Sequence, residues 1–460
     1  MENTEQYLIL RRRLDLLLKT GRLLVESSAD TNRVRRNMVR TAEFLGFDVG
    51  DLHLFIDHNI IMANYSDELH SFSKFQKCTR HGIDFTVISA ISKLTFRAVR
   101  KDYTELEFES ELEKIATRPR FYSRMVTSVG AALACGGFCL QFGCDWVAFL
   151  YASLAAFVGF NCKSWLARAG INQYMSVAIA AFFSTLAAWL TTYLPAWTST
   201  PLHPLLACAL FIVPGVPLIN SVDDIMDGNF RFGLERAVNT IFIMLGMAFG
   251  IVFALKFCAW TFDFEPDIMG ISMEPHHSYL TYAVAAAVSA VGFSMIFNVP
   301  KRLLWVVAAG GAIAVCTRNL VSLAPDGFCP FSLGQGGIIG TLAGATLVSL
   351  VAVKAMHICH TPHQVITIAS VIPMVPGVMM YRFLYSLIEV PAGQKDLTTI
   401  FTNAGVNGIN SALIILGIAV GVAVPNIIAR RWINRKKLIE FDEGIRRKRE
   451  SGDFIDIDKL

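Results

Sequence analysis

Ile212-Val213-Pro214-Gly215-Val216 returns later in the chain as Met374-Val375-Pro376-Gly377-Val378, and each copy lies in an apolar run long enough to cross a bilayer. Proline and glycine inside such a run release backbone hydrogen-bonding groups, which in lipid must find partners or face a wet cavity. A second motif follows. Val238-Asn239-Thr240 with Leu245-Gly246-Met247-Ala248-Phe249-Gly250 returns as Ile409-Asn410-Ser411 with Leu416-Gly417-Ile418-Ala419-Val420-Gly421. The offset grows from 162 residues between Pro214 and Pro376 to 171 between Asn239 and Asn410, so the second copy has the longer connector. Small residues at fourfold spacing occur in any packed membrane helix, but two motifs in one order on corresponding segments indicate a duplication. A long internal period in a membrane chain is the mark of a transporter built from two structural repeats, with its site where they meet.

Composition agrees. Hydrophobic residues fill 53% of 460 positions and charged residues 17%, with mean hydropathy +0.47, outside the range of soluble globular chains. Ten cysteines lack any CxxC pair and lie mostly in apolar runs, so no disulfide framework is expected. The start, Met1-Glu2-Asn3-Thr4-Glu5, has no basic residues leading into an apolar run, and no cleaved signal is expected.

Ten apolar segments are expected to span, at approximately 124–143, 145–161, 171–194, 203–221, 235–256, 278–298, 302–318, 335–355, 363–388 and 404–426. Their connectors alternate in charge. One set holds Arg118/Arg120/Arg124, Lys163/Arg168, Arg231/Arg236, Lys301/Arg302, Lys354 and Arg430/Arg431/Arg435/Lys436/Lys437. The other holds Asp263, Glu265, Asp267, Glu274 and Asp326, with Lys395 the main exception. The positive-inside rule then puts both termini in the cytoplasm. An odd number of spans per copy inverts the second copy. The expected fold is therefore an α-helical polytopic membrane protein, ten transmembrane helices as an inverted 5+5 repeat, with a cytoplasmic α+β N-terminal domain. Its expected domains are 1–120, the repeats 121–265 and 266–429, and a basic cytoplasmic tail 430–460.

In the N-terminal part, 8–27 and 32–45 read as helices, 52–56 and 60–65 as a hairpin around Asp57-His58-Asn59, 71–78 as a third strand, and 85–101 and 104–117 as two further helices. Asp30 to Val34 and His53, Asp57 and His58 hold residue types used in catalysis but show no triad spacing, and cap and turn roles are expected for them. Arg430 to Arg449 interleaves Trp432, Ile433, Leu438, Ile439 and Phe441 with basic residues, which reads as an interfacial amphipathic helix and not a nucleic-acid arm.

The expected substrate site is at the two breaks. A helix restarting after Gly215 or Gly377 presents free N–H groups and a positive dipole end to an anion. Pro214, Gly215, Asn220, Pro376, Gly377, Arg382, Asn239 and Asn410 are the candidate substrate-binding residues, and Asp223 and Asp224 the candidates for ion coupling. A β-branched residue at either glycine is expected to fill the gap and oppose a positive φ. Pro kinks that only shape packing, snorkelling of Arg382, solvation of the carboxylates, and helix-to-helix bonding by the amides are the alternatives. His357, Cys359, His360 and His363 have ligand-type spacing without a fourth ligand, and neither a metal nor any other cofactor is expected. No HExxH, GxSxG or Walker-type loop is present, which weighs against an enzyme and against ATP-driven pumping.

Gly21-Arg22-Leu23-Leu24-Val25-Glu26-Ser27-Ser28-Ala29-Asp30-Thr31-Asn32-Arg33-Val34, then Ala42 to Gly46 and the ten segments with their two Pro-Gly-Val breaks, resemble the threonine/serine exporter family over almost the whole chain. Ser28, Asn32 and Arg35 stand where the family pattern leads one to expect Gly, Tyr and Glu. The resemblance implies the fused form of a two-component arrangement, in which a cytoplasmic domain sometimes described as hydrolase-like is joined to ten helices. It further implies export of small hydrophilic amino acids or of dicarboxylates such as succinate, driven by the proton gradient, across a bacterial cytoplasmic membrane. A membrane-anchored hydrolase is the alternative. The expected partners are a small carboxylate or amino acid and the lipid bilayer, with no nucleic acid and with a homo-oligomer left open.

Overall fold

The computed structural model describes residues 2–66, 71–194, 197–262, 269–271, 277–359, 361–389, 397–433 and 435–450. Asp263, Glu265, Asp267, Glu274, Lys395 and His360 fall outside the described residues. The chain forms two compact units: Met1–Arg120 with Asp223–Arg236 and Ile427–Leu460, and Phe121–Val222 with Ala237–Asn426.

In the first unit, α1 (Glu2–Glu26) buries Leu10, Leu14, Leu17 and Leu24 along one stripe. Asp30 starts α2 (Thr31–Phe44) by accepting from the Arg33 amide. β1 (Leu52–Ile56), β2 (Ile60–Ser66) and β3 (Ser71–Lys77) form an antiparallel sheet in the order β1-β2-β3. Ile61, Ala63 and Tyr65 alternate inward on β2 as its period of two requires. α3 (Phe85–Arg100) is capped by Asp84, and α4 (Glu105–Ala116) opens with a Thr104/Glu107 capping box.

The second unit is helical. It holds α5 (Arg124–Gln141), α6 (Trp146–Arg168) and α7 (Gln173–Leu190), then the short α8 (His203–Ala207), a 3-10 turn at Leu210–Ile212 and α9 (Gly215–Met226), whose end lies in the first unit. α10 (Phe230–Phe262) follows. The same order then recurs: α11 (Tyr279–Ile296), α12 (Leu304–Ser322), α13 (Gly337–Cys359), α14 (His363–Val371), a 3-10 turn at Ile372–Met374, α15 (Gly377–Glu389) and α16 (Leu397–Ile433).

Among the described residues, seven helices are long and apolar enough to cross a membrane by length and composition, or up to nine if each of two bent pairs is one span. The bends fall at the repeated Pro-Gly motifs, 60° between His203–Ile212 and Gly215–Met226 and 55° between His363–Met374 and Gly377–Ile388. The tenth expected segment, α5, is bounded by Arg124 and Gln141 and rich in glycine, which lowers its mean hydropathy. It is nonetheless packed inside the second unit against α11: a Cβ on Gly292 would lie 2.4 Å from the Gly130 carbonyl oxygen, and Ser289 Oγ donates to the Ala134 carbonyl at 3.1 Å. Close backbone approach through small residues is how helices associate where lipid supplies no hydrophobic drive. Phe253, Trp260, Leu280 and Trp305 stand exposed, as lipid-facing side chains do.

The second sequence motif has a direct structural meaning. Cβ atoms on Gly246 and Gly250 would lie 3.1 and 2.2 Å from the Tyr174 and Ala178 carbonyl oxygens of α7. On Gly417 and Gly421 they would lie 3.4 and 2.9 Å from the Ile338 and Leu342 carbonyl oxygens of α13. The duplicated glycines dock equivalent long helices on equivalent partners.

α17 (Arg435–Glu450) differs from its expected interfacial setting. Phe441 is buried, edge-on to Phe96 of α3 with centroids 5.9 Å apart, and a Cβ on Gly444 would lie 2.4 Å from Val99 Cγ1. Phe441 packs on the N-terminal domain while Ile439 stays exposed, and the sequence pattern alone could not distinguish protein from lipid as the cover for Phe441.

Candidate functional site

The two breaks meet. Gly215 faces Ile372 and Val375, with an added Cβ 2.9 Å from Ile372 Cδ1, and Gly377 faces Leu210 and Val213, with an added Cβ 2.9 Å from Leu210 Cδ2. Leu210 and Ile372, Val213 and Val375, and Gly215 and Gly377 are each 162 positions apart, so each copy presents the other with the same three positions. Phe138 of α5 and Phe293 of α11 complete the wall, edge to face at 5.8 Å. The cavity enclosed is about 10 Å³, at the lower bound for a single water. The crossing is an apolar constriction with almost no free space. Sequence reading missed Phe138 and Phe293, although they sit at matching positions of two segments whose caps, Ser123 and Ser278, show the correspondence.

Two details differ from expectation. Neither Gly215 nor Gly377 is among the residues with positive φ, so close approach, not a left-handed backbone, favours a small residue there. Nor are the glycine amides open, since Gly215 N–H donates to the Val213 carbonyl at 2.9 Å and Gly377 N–H to the Val375 carbonyl at 2.8 Å.

The polar candidates distribute around the constriction in separate groups. Asn220 is buried on α9, and Arg382, 162 positions later on α15, is buried and donates through Nη2 to the Ile271 carbonyl at 2.8 Å. Asn239 accepts from the Tyr174 hydroxyl at 2.7 Å, and Asn410 is half-buried on α16. His363 is buried, with Nε2 3.0 Å from both Ser349 Oγ and Thr367 Oγ1. Among the described residues no three metal-ligating groups cluster.

Asp223 and Asp224 belong to the first unit. Asp224 Oδ1 accepts from the Thr31 amide at 2.8 Å, and its Oδ2 lies 3.4 Å from Arg236 Nε, with both side chains buried. Arg236 Nη2 also donates to the Ala29 carbonyl, and its guanidinium covers the Phe232 ring at 4.4 Å. Burial is the largest influence on Asp30 and pushes its carboxyl upward, but Arg33 and Arg36 together bring it below the usual carboxylate value. His58 stacks on His81 at 3.9 Å. Burial, then His81 and Arg236, lower the His58 imidazole to about 4.

Long apolar helices, two broken helices meeting at their breaks and a duplicated packing scheme define a multi-pass membrane protein. The family described as putative threonine/serine exporter matches residues 15–258, and the companion threonine/serine exporter model matches residues 282–428. The chain belongs to the threonine/serine exporter family, in its fused form. A probable succinate transporter subunit, YjjP, of Klebsiella aerogenes is 25% identical over 240 residues, covering 52% of this chain and 92% of the relative. A probable threonine/serine exporter of Mycobacterium tuberculosis is 21% identical, covering 83% of this chain and 72% of the relative. The threonine/serine exporter of Corynebacterium glutamicum is 23% identical, covering 76% and 68%. No solved structure matches the chain. The family is one of transporters and not enzymes, which sets aside a membrane-anchored hydrolase.

Proposed function

We propose that the chain is a secondary active exporter of small hydrophilic amino acids, threonine or serine, or of a dicarboxylate such as succinate, coupled to the proton gradient. The observation that carries this reading is the reciprocal packing of the two Pro-Gly breaks. A constriction built from equivalent residues of two copies can open toward one side by moving one copy and toward the other by moving its counterpart. The ten helices are proposed as an inverted five-plus-five repeat with both termini in the cytoplasm of a bacterial inner membrane. Supporting this, Arg231 and Arg236 in the first turns of α10, the N-terminal domain and α17 belong to one unit.

In the open state the substrate carboxylate is proposed to meet the positive ends of α9 and α15. The assigned donors are the amides of Val216, Val378 and Met379. Pro217 has no amide hydrogen to offer, so α15 is the richer end. Arg382 and its repeat-equivalent Asn220 flank the site as cation and amide, and Asn239 and Asn410 supply outer contacts. The coupling proton is assigned to Asp223, a buried carboxylate at the end of α9, beside Asp224, which Arg236 and Thr31 hold. The test is counterflow of labelled threonine, serine and succinate in vesicles holding only the purified protein, without ATP. Exchange of one of these, weakened in Arg382→Ala, supports the reading. Absence of exchange for every small carboxylate and amino acid refutes it.

A further inference from the structure

The Asp224–Arg236 pair does more than fill a buried space. Three contacts join Ala29 and the start of α2 to the end of α9, the turn after it and the start of α10: Thr31 N–H to Asp224, Arg236 to the Ala29 carbonyl, and Asn32 Nδ2 to Asp227, with the Asp224–Arg236 ion pair beneath them. The loop is already shaped for this. Ser28 holds a φ of 62°, in the left-handed region that costs a non-glycine residue, while its Oγ donates to the Gly82 carbonyl at 2.8 Å. Asp30 is fixed by the Arg33 amide at 2.9 Å and the Arg33 guanidinium at 3.1 Å.

The duplication shows that helix packing does not require the pair. At the offset of the Pro-Gly motif Asp224 corresponds to Ser386, and at the offset of the Asn motif Arg236 corresponds to Asn407. Ser386 Oγ donates to the Arg382 carbonyl and Asn407 Nδ2 to the Asn403 carbonyl, so each is satisfied within its own helix. The first copy alone carries two opposite charges at these positions, and there it meets the N-terminal loop. Burying such a pair is expensive without further bonds, and those bonds come from Ala29 and Thr31.

We infer that Asp224 and Arg236 are positioning residues for transport, fixing the N-terminal domain to the end of the broken helix α9 so that loop and helix move as one body. α9 runs without interruption from Gly215 to Met226, so a hold at Asp224 bears on the break itself. The inference rests on the proposed transport reading but has a readout independent of it.

The experiment uses the full chain in a cysteine-free background, with Asp224→Asn and Arg236→Gln compared with the parent. Hydrogen exchange at the Thr31 amide should quicken by about tenfold or more in both variants, whether or not transport is measurable. In vesicles the maximal rate should fall about tenfold with the substrate KM held within roughly twofold, because positioning and not substrate contact is lost. A bis(methanethiosulfonate) cross-linker, which forms a disulfide with each of Asn32→Cys and Asp227→Cys and releases sulfinate, should restore the rate in Asp224→Asn, and reductant should abolish it again. Unchanged Thr31 exchange, or a verified cross-link that restores nothing, overturns the inference. A parent that fails to transport any substrate counts against the function proposed above, while the exchange result still decides the hold on α9.

Discussion

Substitution of Gly215 or Gly377 by valine tests the constriction. The Cβ alone would lie 2.9 Å from Ile372 Cδ1 and 3.2 Å from Val375 Cγ2 at Gly215, and 2.9 Å from Leu210 Cδ2 and 3.0 Å from Val213 Cγ2 at Gly377. Ile372 Cδ1 and Leu210 Cδ2 are the far ends of flexible side chains and can rotate away, and the valine contacts need shifts of only a few tenths of an ångström, so alanine is accommodated at modest cost. Valine adds two more methyl groups, and a cavity of about 10 Å³ has no room for them. Overpacking of this kind costs about 1–3 kcal/mol, which a membrane domain of this size tolerates while the two breaks are forced apart. Each valine variant should therefore reach the membrane at near-parental levels, lose a few degrees of thermal stability in detergent, and lose transport. The alanine variants should retain a substantial fraction of it. Parental transport rates in both valine variants would refute the reasoning, since a site walled by those backbones could not accept the added groups.

Single cysteines test the topology: one at Ser199 should react with an impermeant thiol reagent from outside, and one at Asn229 only after permeabilisation. Labelling of Asn229 from outside would remove the inverted arrangement. His58, held neutral to about 4 against an ordinary value of 6.5, stabilises the first unit fully above pH 6.5. That contribution falls as pH drops toward 4, because the unfolded chain binds the proton first. Thermal unfolding should show this acid loss in the parent and a shallower one in His58→Gln; identical profiles would exclude His58 as the cause. Phe441→Ala removes a buried ring on α17 and should weaken its docking by about 3–5 kcal/mol, read as rapid proteolysis within 435–450. Unaltered proteolysis would mean that Phe96 does not hold the helix.

The repeat was legible because both motifs use glycine for a reason the structure displays: Gly215 and Gly377 let the breaks approach, and Gly246, Gly250, Gly417 and Gly421 let long helices dock on carbonyls. The helix and strand pattern of the first 120 residues was legible from the cap at Asp30 and the β-rich runs around Asp57-His58-Asn59. Phe138 and Phe293 were not, because an aromatic residue in an apolar helix carries no signal that separates a constriction from ordinary packing. The partners of Asp224 were equally hidden, since Thr31 lies 193 residues away in sequence and nothing local announces the contact. Phe441 shows the same limit, as an amphipathic face does not say whether lipid or protein will cover it.

The most direct measurement is accumulation of labelled substrate by vesicles containing only this protein, with an imposed proton gradient and no ATP. Uphill accumulation should appear, collapse on adding a protonophore and be absent in Gly215→Val and Gly377→Val. Accumulation that ignores the gradient, or that persists in both glycine variants, would contradict it.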